Sequence, residues 1–185
     1  MGLPAGRTGI PNPILAVSFV IFAEVMYFAA LLSAWFVARS YASSWPPMGQ
    51  PRLPLGVSTA NTLVLAASGW FAWASMRPGA KARRSHLLAL AGGVVFLAVQ
   101  GSEWARMLRF GMAPGSGSYG DFFYLLIGSH GIHALAGIAA LAALIPGTEA
   151  PGPGLRTPHL RKAACLFWLF VAGLWPVLYI LLYLA

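Results

Sequence analysis

The chain has 185 residues, of which 58% are hydrophobic and 9% are charged, and it carries a formal net charge of +8. A soluble domain carries about a quarter charged residues, so this composition excludes an ordinary soluble fold and indicates an integral membrane protein. The basic residues lie in short loops between apolar stretches, which excludes nucleic-acid binding as the reason for the positive charge.

Five apolar stretches follow one another along the chain, and each is close to the roughly 20 residues that a helix needs to cross a bilayer. They cover about 14–38, 57–76, 86–105, 122–145 and 163–184. The sequence therefore predicts an all-α integral membrane bundle of five transmembrane helices. We expect one membrane domain over residues 1–185.

The distribution of Lys and Arg predicts the orientation. Eight of the twelve basic residues fall in the N-terminus and in the second–third and fourth–fifth loops, and four fall on the other side. Because cytoplasmic loops carry the excess of Lys and Arg, we expect a cytoplasmic N-terminus and an outside C-terminus. A bacterial cytoplasmic (inner) membrane is the expected location of this multi-pass chain.

The first span, ILAVSFVIFAEVMYFAALLSAWFVA, contains a single charged residue, Glu24. At a rise of about 1.5 Å per residue, this carboxyl group lies roughly 15 Å into the membrane, near its midplane. An ionisable group there is costly and marks a candidate functional residue. It could take part in proton movement, donate an interhelical hydrogen bond when protonated, or pair with a base on a neighbouring subunit.

Other polar residues lie in the later spans. Asn61, at the start of the second span, is expected to bond between helices. Glu103 is three residues before Arg106 on the same helix face, so we expect an interfacial ion pair with Trp104 as a membrane anchor.

His130 and His133, in GSHGIHALAG, have a spacing that puts them on one face of the fourth span. A metal centre in a helix bundle would need more carboxylates or histidines from other helices. A bis-histidine haem site would need a second buried histidine on another span. We therefore favour hydrogen bonding for both residues and expect the chain to bind no metal.

The polar landmarks in chain order resemble subunit III of the haem–copper respiratory oxidases. The similar segments are EVMYFAALLSAWF, WPPMGQPRLPL, NTLVLAASG, QGSEW and GSYGDFFYLLIGSHGIHALAG, which lie between about residues 19 and 145. Five spans with the N-terminus inside resemble the short form of this family, which lacks the first two helices.

The resemblance implies a non-catalytic accessory subunit of a terminal oxidase in aerobic respiration. It implies that haem and copper reside in a separate catalytic subunit, on which this chain packs, supporting proton uptake and holding phospholipid. Glu24 matches the family's carbodiimide-reactive glutamate. Helix-packing and lipid-facing motif positions are matched by Asn61, Glu103, Trp104, His130 and His133.

The last span departs from the family pattern Trp-His-Phe-Val-Asp, because Leu169 and Ala172 stand where the His and Asp would be. This departure leaves room for a subunit-III-like accessory of a nitric oxide reductase. Two further alternatives are an independent membrane transporter, which paired broken helices would favour, and a membrane enzyme with its own cofactor.

Overall fold

A computed structural model describes residues 11–47, 55–77, 79, 81–145 and 158–184, and these residues contain five α-helices. The helices are α1 (Asn12–Ser40), α2 (Leu55–Ser75), α3 (Ala82–Arg109), α4 (Ser118–Ala143) and α5 (Pro158–Tyr179), and a π-helical segment (Ile180–Leu184) continues α5. All five are long and apolar enough to cross a membrane. The predicted all-α membrane bundle is confirmed, while the N-terminal lead-in and most of the fourth–fifth loop lie outside the described residues.

Helix α3 extends beyond its predicted span at both ends. The helix begins at Ala82 and ends at Arg109, four residues beyond the predicted span 86–105 at each end. The added turns contain Arg83, Arg84 and Arg106, which lower the hydropathy of the sequence without breaking a helix. Basic side chains near helix ends extend toward the membrane surface, so the helix continues beyond its apolar stretch at both ends.

Helix α2 packs mainly on α3, and α5 lies between α2, α4 and α1. Helix α1 occupies the edge of the bundle, where it packs against α5 and α4 and buries only Phe28 and Trp35 completely. Most of its apolar side chains are therefore open to lipid or to another chain.

The centre of the bundle is built around Trp168 of α5, which is fully buried. Its indole ring lies against Gly93 of α3 and Gly137 of α4, where a Cβ atom would come within 2.7 and 2.6 Å of the ring. The indole nitrogen donates a hydrogen bond of 3.0 Å to Ser68 Oγ on α2. Small residues thus allow one large ring to join four helices.

Candidate functional site

The candidate site joins the middle of α1 to the middle of α4. Glu24 is the thirteenth of the 29 residues of α1, and His133 is the sixteenth of the 26 residues of α4. Glu24 Oε2 lies 2.8 Å from His133 Nε2. The base that Glu24 contacts thus belongs to the same chain, whereas one of the three interpretations of the sequence placed it on a neighbouring subunit.

The other nitrogen of His133 is also bonded. Nδ1 lies 2.7 Å from the backbone carbonyl oxygen of Ser129, one helical turn earlier. A carbonyl oxygen only accepts, so Nδ1 carries a hydrogen and donates it. Nε2 then either accepts a hydrogen from a protonated Glu24 or donates one to its carboxylate. In both arrangements the pair holds one proton between Oε2 and Nε2 and has no net charge.

A second interhelical bond supports this pair. The hydroxyl groups of Tyr27 and Ser129 lie 2.8 Å apart, with either able to donate. The ring of Phe28 packs edge-on to His133 at a centroid distance of 5.4 Å. Because Tyr27 follows Glu24 by three residues, and His133 follows Ser129 by four, both contacts use one face of each helix.

The pair lies at the edge of the bundle. The side chains of Glu24 and His133 are 25% and 18% exposed, and Tyr27 is 42% exposed. Polar groups at this depth are almost always directed at protein or at a water-filled cavity. This partial exposure therefore indicates that lipid, water or another chain covers this part of α1 and α4 in the membrane.

Two other residues singled out in the sequence lie inside the bundle. Asn61 Nδ2 donates to the backbone carbonyl oxygen of Phe96 at 3.0 Å, which links α2 to α3. Glu103 Oε1 lies 3.2 Å from Arg106 Nη2, but the Glu103 side chain is only 4% exposed whereas that of Arg106 is 52% exposed. The ion pair thus has one member inside the bundle, rather than both at the interface.

Trp104 and His130 also pack within the helix bundle. The Trp104 ring contacts α4 at Gly131, where a Cβ atom would approach it to 2.6 Å. His130 is buried among the rings of Phe96 and Trp175. Neither of its ring nitrogens has a hydrogen-bond partner within the described part of the chain. The expected bonding is thus found for His133 but not for His130.

The two histidines therefore do not form one site. His133 faces Glu24 on α1, whereas His130 faces α3 and α5. Over the described ranges, no group of three or more His, Cys, Asp or Glu side chains is close enough to hold a metal ion. Sequence reasoning missed Tyr27 and Ser129, although their spacing to Glu24 and His133 was a usable signal.

Residues 10–185 match the family described as cytochrome c oxidase subunit III. The chain is 32% identical over 190 residues to cytochrome c oxidase subunit 3 of Synechocystis sp., covering 97% of this chain and 78% of that protein. It is 32% identical over 170 residues to a probable cytochrome c oxidase subunit 3 of Nocardia farcinica, covering 86% and 81%. The chain belongs to the cytochrome c oxidase subunit III family.

Proposed function

We propose that the chain is the accessory subunit III of a haem–copper terminal oxidase and holds no redox centre of its own. The observation that carries this function is the family match over residues 10–185, which covers all five membrane helices. The haem and copper belong to a separate catalytic subunit in the same respiratory complex. The chain packs on that subunit in the bacterial cytoplasmic membrane, with its N-terminus on the cytoplasmic side.

Two of the three alternatives, the transporter and the nitric oxide reductase accessory, are not favoured. A transporter would rest on paired broken helices, and the five long spans described here are continuous α-helices, apart from the π-helical end of the last. The nitric oxide reductase alternative rested on Leu169 and Ala172, and the family match extends across both positions. The chains that co-purify with this one separate these two alternatives from the proposed function.

Within this subunit, the Glu24–His133 pair serves proton uptake by the oxidase. Three features support this role: its single shared proton, its depth near the middle of both helices, and its partial exposure. The edge position of α1 lets phospholipid or the catalytic subunit cover the pair. A covered pair exchanges its proton only where water or a partner group reaches it.

The test is a mild detergent purification through a tag on this chain. We expect haem bands in a reduced-minus-oxidised spectrum and a large oxidase catalytic subunit among the co-purifying chains. Oxygen uptake is then measured with reduced cytochrome c and with a quinol, and nitric oxide consumption is measured alongside. Co-purification of a nitric oxide reductase subunit, or a colourless chain without partners, would contradict the proposed function.

A further inference from the structure

Five polar side chains meet inside the bundle at the end of α3, away from the Glu24–His133 pair. They come from α2, α3 and the π-helical segment and are called here the α2–α3 polar cluster: Ser58, Asn61, Gln100, Glu103 and Tyr183. Four of them are 1–3% exposed, and Tyr183 is partly buried. Such depth makes every unpaired polar atom in the cluster costly.

The helix register brings the members of the cluster together. Asn61 of α2 bonds to the carbonyl oxygen of Phe96 and, at 3.4 Å, to Gln100 Oε1 on the antiparallel α3. Because the two helices are antiparallel, a residue one turn before Asn61 on α2 lies beside a residue about one turn after Gln100 on α3. This register places Ser58 opposite Glu103.

The π-helical segment supplies the fifth member. Gln100 Nε2 donates a hydrogen bond of 3.0 Å to the hydroxyl oxygen of Tyr183. Ser58 Oγ approaches the hydroxyl group of Tyr183 as a loose hydrogen-bond partner but does not reach full hydrogen-bond geometry. Glu103 is close enough to Tyr183 to interact with it electrostatically. π-helical turns occur frequently at functional sites, and here the turn carries Tyr183 to the cluster.

The hydrogen-bond inventory of the cluster is incomplete within the described residues. Asn61 uses its amide nitrogen, but its oxygen Oδ1 has no partner. Glu103 uses Oε1 with Arg106, but Oε2 has no partner, and Ser58 Oγ has none either. Two acceptors and one hydroxyl group that can donate or accept thus remain unpaired in one small region.

We propose that the α2–α3 polar cluster is a binding site for internal water. A bound water molecule donates to Asn61 Oδ1 and to Glu103 Oε2 and accepts from the hydroxyl of Ser58 or Tyr183. This matches the roughly three hydrogen bonds that a buried water makes in proteins. The water adds to the direct bonds that Gln100 makes with Asn61 and with Tyr183, and so ties α2, α3 and the end of α5 together.

The cluster lies next to an exposed arginine, and its chemistry disfavours a metal ion as the occupant. The buried Glu103 carboxyl group is paired with Arg106, whose side chain is 52% exposed. A metal ion is disfavoured because Arg106 already balances the one carboxylate. The described residues also bring no third metal-ligating side chain to this place. Apolar cavities stay dry, whereas a space lined by unpaired polar groups holds water.

The direct test is a structure of the chain, alone in a lipid mesophase or within its complex, at a resolution that shows ordered water. We expect a density peak within about 2.6–3.2 Å of both Asn61 Oδ1 and Glu103 Oε2. Direct contact between these polar groups, or a dry site in a map that shows other buried waters, overturns the proposal. The test does not depend on whether the partner is an oxidase.

A second test uses the sign of a stability change. If Ser58 bonds to water, Ser58→Ala loses a hydrogen bond and lowers Tm by about 2–4 °C. If Ser58 is unpaired, the same change removes an unsatisfied group and leaves Tm unchanged or higher. Ser68→Ala is the reference, because Ser68 bonds to the Ala89 carbonyl and to Trp168 Nε1. A shift opposite to that of Ser68→Ala, or no shift, overturns the proposal.

Discussion

At the scale of single residues, the carbonyl oxygen of Ser129 determines what the Glu24–His133 pair can do. It fixes the hydrogen on Nδ1 of His133, so Nε2 can only share the proton of Glu24. A carboxyl group and an imidazole that exchange one proton stay neutral together, which lowers the cost of keeping them in a membrane. The pair therefore carries no net charge as long as it keeps this proton.

Comparing two substitutions of Glu24 tests this role. Glu24→Gln keeps a donor for His133 Nε2 but cannot release a proton, whereas Glu24→Ala removes both functions. We expect both variants to keep the initial rate of oxygen reduction, because the proposed function puts the redox centres in a separate subunit. We expect both to shorten the active lifetime or lower proton uptake, measured by turnover decay and by pH change in vesicles.

The stability of the two variants provides the control. Only Glu24→Ala should lower Tm, because a lost hydrogen bond costs about 0.5–1.5 kcal/mol. If Glu24→Gln matches the wild type in lifetime and proton uptake while Glu24→Ala does not, the role of Glu24 is structural. If neither variant differs from the wild type, Glu24 has no part in the mechanism.

At the scale of helices, close packing depends on where glycines lie relative to tryptophans. Gly93 and Gly137 leave room for Trp168, and Gly131 leaves room for Trp104. Gly101 on α3 and Gly128 on α4 have no atom within 4 Å of the place a Cβ would take. The same helices therefore contain glycines that the packing requires and glycines that it does not.

We expect Gly93→Ala to destabilise the bundle by about 1–3 kcal/mol, the usual cost of overpacking a core. The reason is that the fully buried Trp168 ring has little space into which it can move. Thermal unfolding of the purified chain, followed by tryptophan fluorescence, measures the change.

Gly101→Ala is the matched control on the same helix. Alanine has the higher helix propensity, so this variant should be as stable as the wild type or slightly more stable. Equal effects of the two substitutions would contradict the assigned packing of Trp168.

The sequence predicted every helix because each apolar stretch is long enough to cross a bilayer, a property that needs no knowledge of contacts. It did not predict the ends of α3, because the arginines there are helical but not apolar. The sequence also singled out Glu24 and His133 without joining them. Spacing shows which residues share a helix face, but it does not show which two faces meet.

At the scale of the whole molecule, the direction of the bundle in the membrane remains a prediction from charge. With the N-terminus inside, residues after α1 lie outside and the α2–α3 turn lies in the cytoplasm. Tyr41 is 87% exposed after α1, and Lys81 is exposed in the turn before α3. Cysteines placed at these two positions can therefore show which side of the membrane each position faces.

We expect Tyr41→Cys to react with a membrane-impermeant maleimide in intact cells, and Lys81→Cys to react only after the cells are opened. The wild-type chain supplies the background control, because its one cysteine, Cys165, is fully buried. Labelling of Lys81→Cys in intact cells and of Tyr41→Cys only in opened cells would reverse the orientation.

The short distance between Glu24 and His133 has a consequence for the response of the pair to voltage. Moving a proton across a contact of 2.8 Å converts the neutral pair into opposite charges separated by about 3 Å. The hydrocarbon core is about 30 Å thick, and one charge crossing it at 100 mV changes energy by about 2.3 kcal/mol. A potential of 100 mV therefore changes the energy of this proton transfer by about 0.2 kcal/mol, which is below thermal energy. The membrane potential cannot set the proton position, which follows the local contacts of the two side chains instead.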